Sequence, residues 1–429
     1  MPGMRNISII TLIFLTIIAC TTTQRVASPD EQFASMYNPS EFSLNADYEF
    51  FHLNDGMTSM YIRLFPGELL YNQANDENEY RALVQIAYEI FLLDEEGMMI
   101  QKTDSSDFTI NLGRETEDKS AYFSSKVLPI LGGKRYLIRL EAKDLQRGTL
   151  GLKHLYIDKL NEFSAQNFSI VSGRSGFPKF QNYMMPGELF RLKYRAPGIE
   201  TLYLDFYKSD GDLPRPIVTQ NSASSFPRIP DTTMVLNYNE TQYFSLPDEG
   251  MYHFRIDSLR TDGVTINHFG EDFPQVKTEK ALFEPLFYLT TQSEFKRLQQ
   301  SENLKLAVDD FWLKRASSKD RSRELIRVYY NRVLYSNLYF TSDREGWKTD
   351  RGMVFILFGP PDRMRDSGIE QRWYYISRRQ NKVIEFVFER KANEFTNSDL
   401  IWRKNIESMQ YWSSAVSSWR AGKVYTLGK

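Results

Sequence analysis

A change of hydrophobic period near residue 279 divides this chain more sharply than any other feature. Upstream, short runs alternate apolar and polar residues and are punctuated by Gly, Pro, Asn and Asp roughly every ten to twenty residues, which is the pattern of strands and turns. Downstream, apolar residues recur three and four apart, the spacing of helices packed along one face. A chain patterned this way is expected to be multidomain and mainly β, with a C-terminal α+β part. Its 429 residues are ample for two to four domains at ~100–200 residues each.

Within the β-rich part, residues 47–165 read as a first β-sandwich. Runs at 48–53 and 60–64 flank Asn54, Asp55 and Gly56, a combination that favours a tight hairpin because Asn and Gly tolerate positive φ. Further strands are expected at 82–93, 108–112, 121–127, 136–143 and 151–158. Residues 166–278 repeat the style, with strands at 188–194, 201–207, 233–236 and 242–246 and a Pro-, Ser- and Asn-rich insertion at 211–231 that reads as an exposed loop. Asp248, Gly250 and Tyr252 precede an alternating strand. This spacing resembles the tyrosine corner of immunoglobulin-like sandwiches, in which the phenol bonds back to the backbone at a turn; an ordinary turn before a strand is the simpler alternative.

Residues 279–429 form the third unit. Helices are expected at 292–300, 302–315 and 320–340, the last with a broad apolar and aromatic stripe through Leu325, Val328, Tyr329, Arg332, Val333, Tyr335 and Leu338 that reads as a packing face. Runs at 371–376 and 382–389 alternate and suit an antiparallel meander. In the tail, Met409, Trp412, Val416 and Trp419 have helical spacing, which fits a packed amphipathic helix or a docking peptide for a partner.

Between the long helix and the meander stand Glu345, Gly346, Trp347, Lys348, Thr349, Asp350, Arg351 and Gly352, then an unbroken apolar run from 353 to 358, then Gly359, Pro360, Pro361 and Asp362. Gly346 and Gly352 bracket what reads as a sharply bent loop whose ends need glycine backbone angles. Trp347 is large enough to plug that loop into the preceding helix, and Thr349 and Asp350 are suited to bond backbone N–H groups. The apolar run reads as a buried strand. The text resembles the signature of the GWxTD-domain proteins, a family of bacterial envelope proteins named for this pentapeptide, and the resemblance extends over about 282–402. It implies an α+β module carried behind sandwich domains, but no agreed reaction. Family members commonly have an Arg-Asp-Pro-like turn where this chain has Arg315, Ala316, Ser317 and Ser318.

At the other end, a charged start, an apolar stretch of roughly a dozen residues and Ala19-Cys20 have the layout of a secretory signal over 1–19, too short for the ~20 residues of a spanning helix. Residues 17–20 resemble a bacterial lipobox, which implies a diacylglycerol on Cys20, the only cysteine in the chain. With that sulfur lipidated, no disulfide or thiolate metal site is available. Residues 20–46 are polar and aperiodic and read as a flexible stalk. The expected address is the periplasmic face of the outer membrane.

Charge is balanced, 53 Lys and Arg against 55 Asp and Glu, which argues against nucleic acid as a partner. The basic group Arg372, Arg378, Arg379 and Lys382 is flanked by Glu370 and Glu385 and reads as solvated surface, with lipid headgroups or an acidic partner as the sharper alternative. The four histidines, His52, His154, His253 and His268, have no ligand spacing. There is no Gly-x-Ser-x-Gly elbow and no phosphate-cradling glycine loop, so no catalytic nucleophile, metal, nucleotide or other cofactor is expected. The expected role is a scaffold or accessory protein for envelope assembly, secretion or surface machinery. The alternative is a carbohydrate- or peptidoglycan-active enzyme using Asp350 and Asp362, or a glycan-binding module using exposed aromatics such as Trp412 and Trp419.

Overall fold

The computed structural model describes residues 37–38, 44–73, 79–209, 213–214, 229–377, 379–391 and 393–427. The signal-like segment 1–19, Cys20, most of the 20–46 stretch, most of the 211–231 insertion and Arg378 lie outside them.

Alternation builds the first block. Strands β1 (Ala46–His52), β2 (Thr58–Leu64), β3 (Asn72–Gln73), β4 (Tyr80–Leu93), β5 (Met99–Gly113), β6 (Tyr122–Leu128), β7 (Lys134–Asp144) and β8 (Leu150–Lys159) form two antiparallel sheets. One runs β1-β2-β6, the other β3-β4-β7-β8 with β5 on the opposite edge of β4. Inward residues of both sheets, among them Met60, Ile62, Val84, Ile86, Ile138 and Leu140, make one largely aliphatic core. The β1-β2 turn works differently from expectation. Neither Asn54 nor Gly56 has positive φ; instead Asn54 Oδ1 accepts from the N–H groups of Gly56 and Met57, both at 2.9 Å, so a side chain closes a longer loop.

The second block contains β9 (Phe168–Ser172), β10 (Phe190–Tyr194), β11 (Thr201–Lys208), β12 (Thr232–Asn237), β13 (Tyr243–Phe244), β14 (Gly250–Arg255) and β15 (Val264–His268). Its sheets run β13-β10-β9 and β12-β11-β14-β15 and share a core centred on Phe190, Leu192, Leu202, Phe254 and Ile266. The Tyr252 hydroxyl donates to Asp248 O at 3.0 Å and accepts from Asp248 N–H at 3.1 Å, tying strand to turn.

The third unit opens with α1 (Glu279–Phe283), α2 (Gln292–Gln299), α3 (Leu304–Leu313), α4 (Lys319–Phe340) and α5 (Asp350–Phe358). An antiparallel sheet follows, β16 (Arg363–Asp366), β17 (Glu370–Ser377), β18 (Lys382–Arg390) and β19 (Leu400–Trp402) in sequence order, and α6 (Ile406–Arg420) closes the chain. Ser318, in the stretch that departs from the family turn, caps α4 by accepting from Arg321 N–H. Trp412 and Trp419 on α6 are buried, so the tail helix packs and its tryptophans are not exposed. No helix among the described residues is long and apolar enough to cross a membrane.

Two expectations are corrected here. The apolar run 353–358 is not a strand but most of helix α5; every side chain in it is buried, so it carries no period, and its end signals decide its conformation instead. Residues 20–46 are not wholly a stalk: Ala46 begins β1, Leu44 is buried in the first block, and Tyr37 is buried in the core of the third unit.

The three units touch. His154 on β8 lies 3.7 Å from Asp366 on β16, both side chains almost fully buried. Asn182 and Asn267 of the second block both donate to Ser342 O, just after α4, at 2.6 and 3.2 Å. Arg195 and Asp55 join the first two blocks at 2.8 Å.

Candidate functional site

The signature lies against the C-terminal half of α4, and the first reason is steric. A Cβ on Gly346 would sit 1.9 Å from Ser336 O, and one on Gly352 would sit 1.9 Å from Gly346 O. Neither glycine has positive φ, so the pair is required by close backbone approach and not, as the sequence led us to expect, by glycine-only angles. With the loop so close, Gly346 N–H reaches Thr341 Oγ1 at 3.1 Å and Trp347 N–H reaches Asn337 Oδ1 at 3.1 Å.

Trp347 is 5% exposed. Its indole meets Tyr288 edge-on, centroids 6.1 Å apart at 75°, and the Tyr288 hydroxyl donates to Trp347 O at 2.6 Å. Burial, with the Asp350 charge adding to it, holds the Tyr288 phenol well above its ordinary pKa, so it stays protonated and donating. Lys348 lies over the indole, 5.4 Å from the ring centroid, and pairs with Glu345 at 2.9 Å.

Thr349 starts α5: its Oγ1 accepts from Gly352 N–H at 3.1 Å and donates to Gly346 O at 2.8 Å. Asp350, in the helix's first turn where the dipole favours an acid, accepts from the backbone N–H of Trp402 on β19 at 2.8 Å. One end of α5 is thereby fixed to the sheet.

The other end is fixed as firmly. Gly359 takes φ +84°, and its carbonyl accepts from the Tyr375 hydroxyl at 2.8 Å. Arg332 of α4 donates to Ile356 O at 3.1 Å and Leu357 O at 2.9 Å, and Trp419 Nε1 donates to Leu357 O at 3.0 Å. Burial lowers the Arg332 pKa to about 10, which leaves the guanidinium charged at neutral pH. Pro360 and Pro361 stop the helix. Asp362 then accepts from Ile376 N–H of β17 at 2.7 Å.

Asp350 and Asp362 are therefore not brought together. They stand at opposite ends of a nine-residue helix, about 13 Å long at the usual rise, and each holds a backbone amide. Paired glycosidase carboxylates stand ~5–10 Å apart. Beside Asp350, burial works against the Arg344 guanidinium, but Asp343, Asp399 and Asp350 outweigh it and raise its pKa. Among the described residues no cluster of three or more His, Cys, Asp or Glu side chains is arranged to hold a metal ion. A shallow cleft of about 220 Å³ opens between Tyr207, Lys208, Met251 and Phe269 and the stretch 343–348. Its charges are largely matched across Asp343–Arg344 at 3.1 Å and Glu345–Lys348 at 2.9 Å.

Two of the histidines are held by structural hydrogen bonds. His52 shares hydrogen bonds with Thr58 Oγ1 and Asp158 O, and His253 with Thr265 Oγ1 and Thr261 O, all at 2.8–3.0 Å. Arg372, from the basic group, pairs with Glu370 at 2.5 Å and Glu385 at 3.0 Å. Nothing local marks Arg332, Tyr288 or Tyr375 as partners of the signature, because each lies outside it in the chain and looks like an ordinary packing residue.

A protein built this way is defined by a buried helix clasped at both ends by its own signature. The family model for the GWxTD domain matches residues 250–421, so this chain carries a GWxTD domain. The match begins at Gly250, the first residue of β14, so it takes in the last two strands of the second block as well as the third unit. No curated protein matches the chain. Among solved structures, a beta-glucuronidase 2 of Bacteroides uniformis, covalently bound to cyclophellitol-6-carboxylate aziridine, aligns over 35% of this chain at 15% identity and a TM-score of 0.16. This chain spans 17% of that enzyme's length, and at that score the likeness carries no argument about fold or chemistry.

Proposed function

We propose that this protein is a bacterial envelope lipoprotein, anchored through a lipid on Cys20 to the periplasmic face of the outer membrane, that serves as a scaffold or accessory component of envelope assembly, secretion or surface machinery. In this reading two immunoglobulin-like sandwiches carry the GWxTD module. The paired sheets of each block and the Tyr252–Asp248 hydrogen bonds support the sandwich assignment.

The observation that carries the scaffold reading is the use to which the signature is put. Trp347 is packed inside, Thr349 caps a helix, and Asp350 and Asp362 each hold a backbone amide at opposite ends of α5. Side chains committed to backbone groups in this way are poorly placed to exchange protons with a substrate. The carbohydrate-active reading loses its two carboxylates by the same geometry, and the glycan-binding reading loses Trp412 and Trp419, which lie in the core.

The test is crosslinking and affinity isolation of the full protein from native membranes, alongside a Cys20→Ala chain. A fixed set of envelope proteins recovered with the native chain, and loss of membrane association in the alanine chain, are expected. Recovery of sugar fragments without protein partners would overturn the scaffold reading; unchanged membrane association of the Cys20→Ala chain would overturn the anchor.

A further inference from the structure

Tyr37 is separated from the third unit by both β blocks in sequence, yet it is buried in that unit's core. Its ring lies 4.9 Å from Phe340 at 61° and 5.5 Å from both Tyr339 and Trp373. Two of these walls come from the last turn of α4 and one from β17. The side chains of Gln371 and Arg351 lie beside the Tyr37 hydroxyl. Gln371 is itself oriented, its Oε1 accepting from Trp373 Nε1 at 2.9 Å. Arg351 directly follows the pentapeptide, lies over the Phe340 ring at 5.2 Å and donates to Ser398 O. Burial raises the Tyr37 pKa, so the phenol is neutral at physiological pH. Aromatic walls with a guanidinium and an amide at the base suit a tyrosine, whereas leucine lacks the ring; Gln371 Nε2 also donates to Asp366 at 3.2 Å, so the amide is held in place beside the hydroxyl.

We propose that this pocket is a tyrosine socket whose occupant is the chain's own N-terminal segment, so that the segment departs from the GWxTD module and not from the edge of the first β block. Between Asn38 and Leu44 the chain spans at most about 20 Å, so Tyr37 and β1 together strap the first block to the module. The socket is made partly by the signature, which gives Arg351 a role beyond the pentapeptide itself. With Cys20 lipidated, which rests on the function proposed above, 16 residues separate the anchored cysteine from Tyr37, a reach of at most about 60 Å.

The test uses the full chain carrying Tyr37→Ala and a fluorescent peptide of the sequence of residues 31–43. The emptied socket is expected to bind this peptide saturably and at least tenfold more tightly than the same peptide with alanine at the Tyr37 position. The unsubstituted chain, its socket filled, is expected to bind at least tenfold more weakly than the Tyr37→Ala chain. Equal binding of the two peptides, or equal binding by the two chains, overturns the proposal. Should the alanine chain not fold, a photo-crosslinking benzoylphenylalanine at position 37 decides it: crosslinks to the peptides holding Tyr339, Phe340 or Trp373 support the socket, and crosslinks confined to the first block, or none, refute it. Neither readout needs the lipid, so failure here is separable from failure of the anchor.

Discussion

The first β block and the GWxTD module bury apolar surface by opposite chemistries. The block's core is mostly Ile, Leu, Val and Ala from two alternating sheets. The module's core holds all six of the chain's tryptophans together with a dense set of Tyr and Phe rings. The difference teaches what each core specifies. Aliphatic layers fill space and tolerate volume-conserving changes. Aromatic rings with polar handles also hold particular carbonyls: Tyr288 holds Trp347 O, Tyr329 holds Pro285 O, Tyr375 holds Gly359 O and Trp419 holds Leu357 O. The module's core therefore fixes where its loops and helix ends lie as well as keeping them dry.

The comparison is broken most severely by a methyl group. Gly346→Ala places a Cβ against Ser336 O, and we expect a loss of about 5 kcal/mol or more, read as failure of the chain to give a cooperative urea transition. Gly56→Ala in the first block, where the nearest atom to an added Cβ is Asn54 Oδ1 at 3.7 Å, is expected to stay within about 0.5 kcal/mol of the parent. Similar losses from both would mean that the close approach is not what the signature glycines provide.

Next in size, Trp347→Ala should cost about 3–5 kcal/mol, against about 0.5–1.5 kcal/mol for Ile62→Val in the aliphatic core. Chemical denaturation monitored by tryptophan fluorescence and far-ultraviolet dichroism compares them.

Acid separates the regions by another route. Every histidine lies at or before residue 268, and burial lowers His52 and His253 to about 4. The unfolded chain takes up these protons near pH 6.5 and the folded chain only near pH 4, so stability is full above about pH 6.5 and falls as pH drops toward 4. Each histidine contributes up to about 3 kcal/mol to this slope. Glu49 on β1, raised to about 8 by burial, is protonated earlier in the folded chain than in the unfolded one and opposes this trend, so the comparison is between chains: between pH 7 and 4.5, melting curves of His52→Gln should lose less stability on acidification than those of the unsubstituted chain. A slope of the same size after both histidines are replaced would contradict this assignment.

The smallest effect sharpens the comparison. Tyr375→Phe removes one donor to Gly359 O without altering volume much and should cost about 1–2 kcal/mol. Hydrogen exchange at the C-terminal end of α5 is the sensitive probe, and no change there would show that Arg332 and Trp419 suffice.

Legibility from sequence follows the same division. Strands such as β4, whose burial alternates along most of its length, announce themselves by period two. Short strands β9, β15, β16 and β19 were not legible as such, because three to five residues are too few to show a period. Helix α5 was misread for a physical reason: a segment buried all round has no polar face to reveal its pitch. Its ends did carry the information, Thr349 as cap, Asp350 in the first turn and Gly359-Pro360 as stop. The sequence offers Trp347 as a plug and Asp350 as an amide acceptor, but the amides that Asp350 and Asp362 hold, on β19 and β17, lie far along the chain, and the seating of Tyr37 has no local signal at all and exists only once the module is assembled.

The central claim is that the signature clasps α5 into the module and holds it there. Native-state hydrogen exchange of the α5 amides in the unsubstituted chain and in Trp347→Ala measures this most directly. The account predicts that in the unsubstituted chain these amides exchange only through global opening of the module, and that the substitution accelerates exchange across α4, α5 and β17–β19 together. Protection of α5 unchanged in Trp347→Ala, with acceleration confined to residues 345–349, would contradict it.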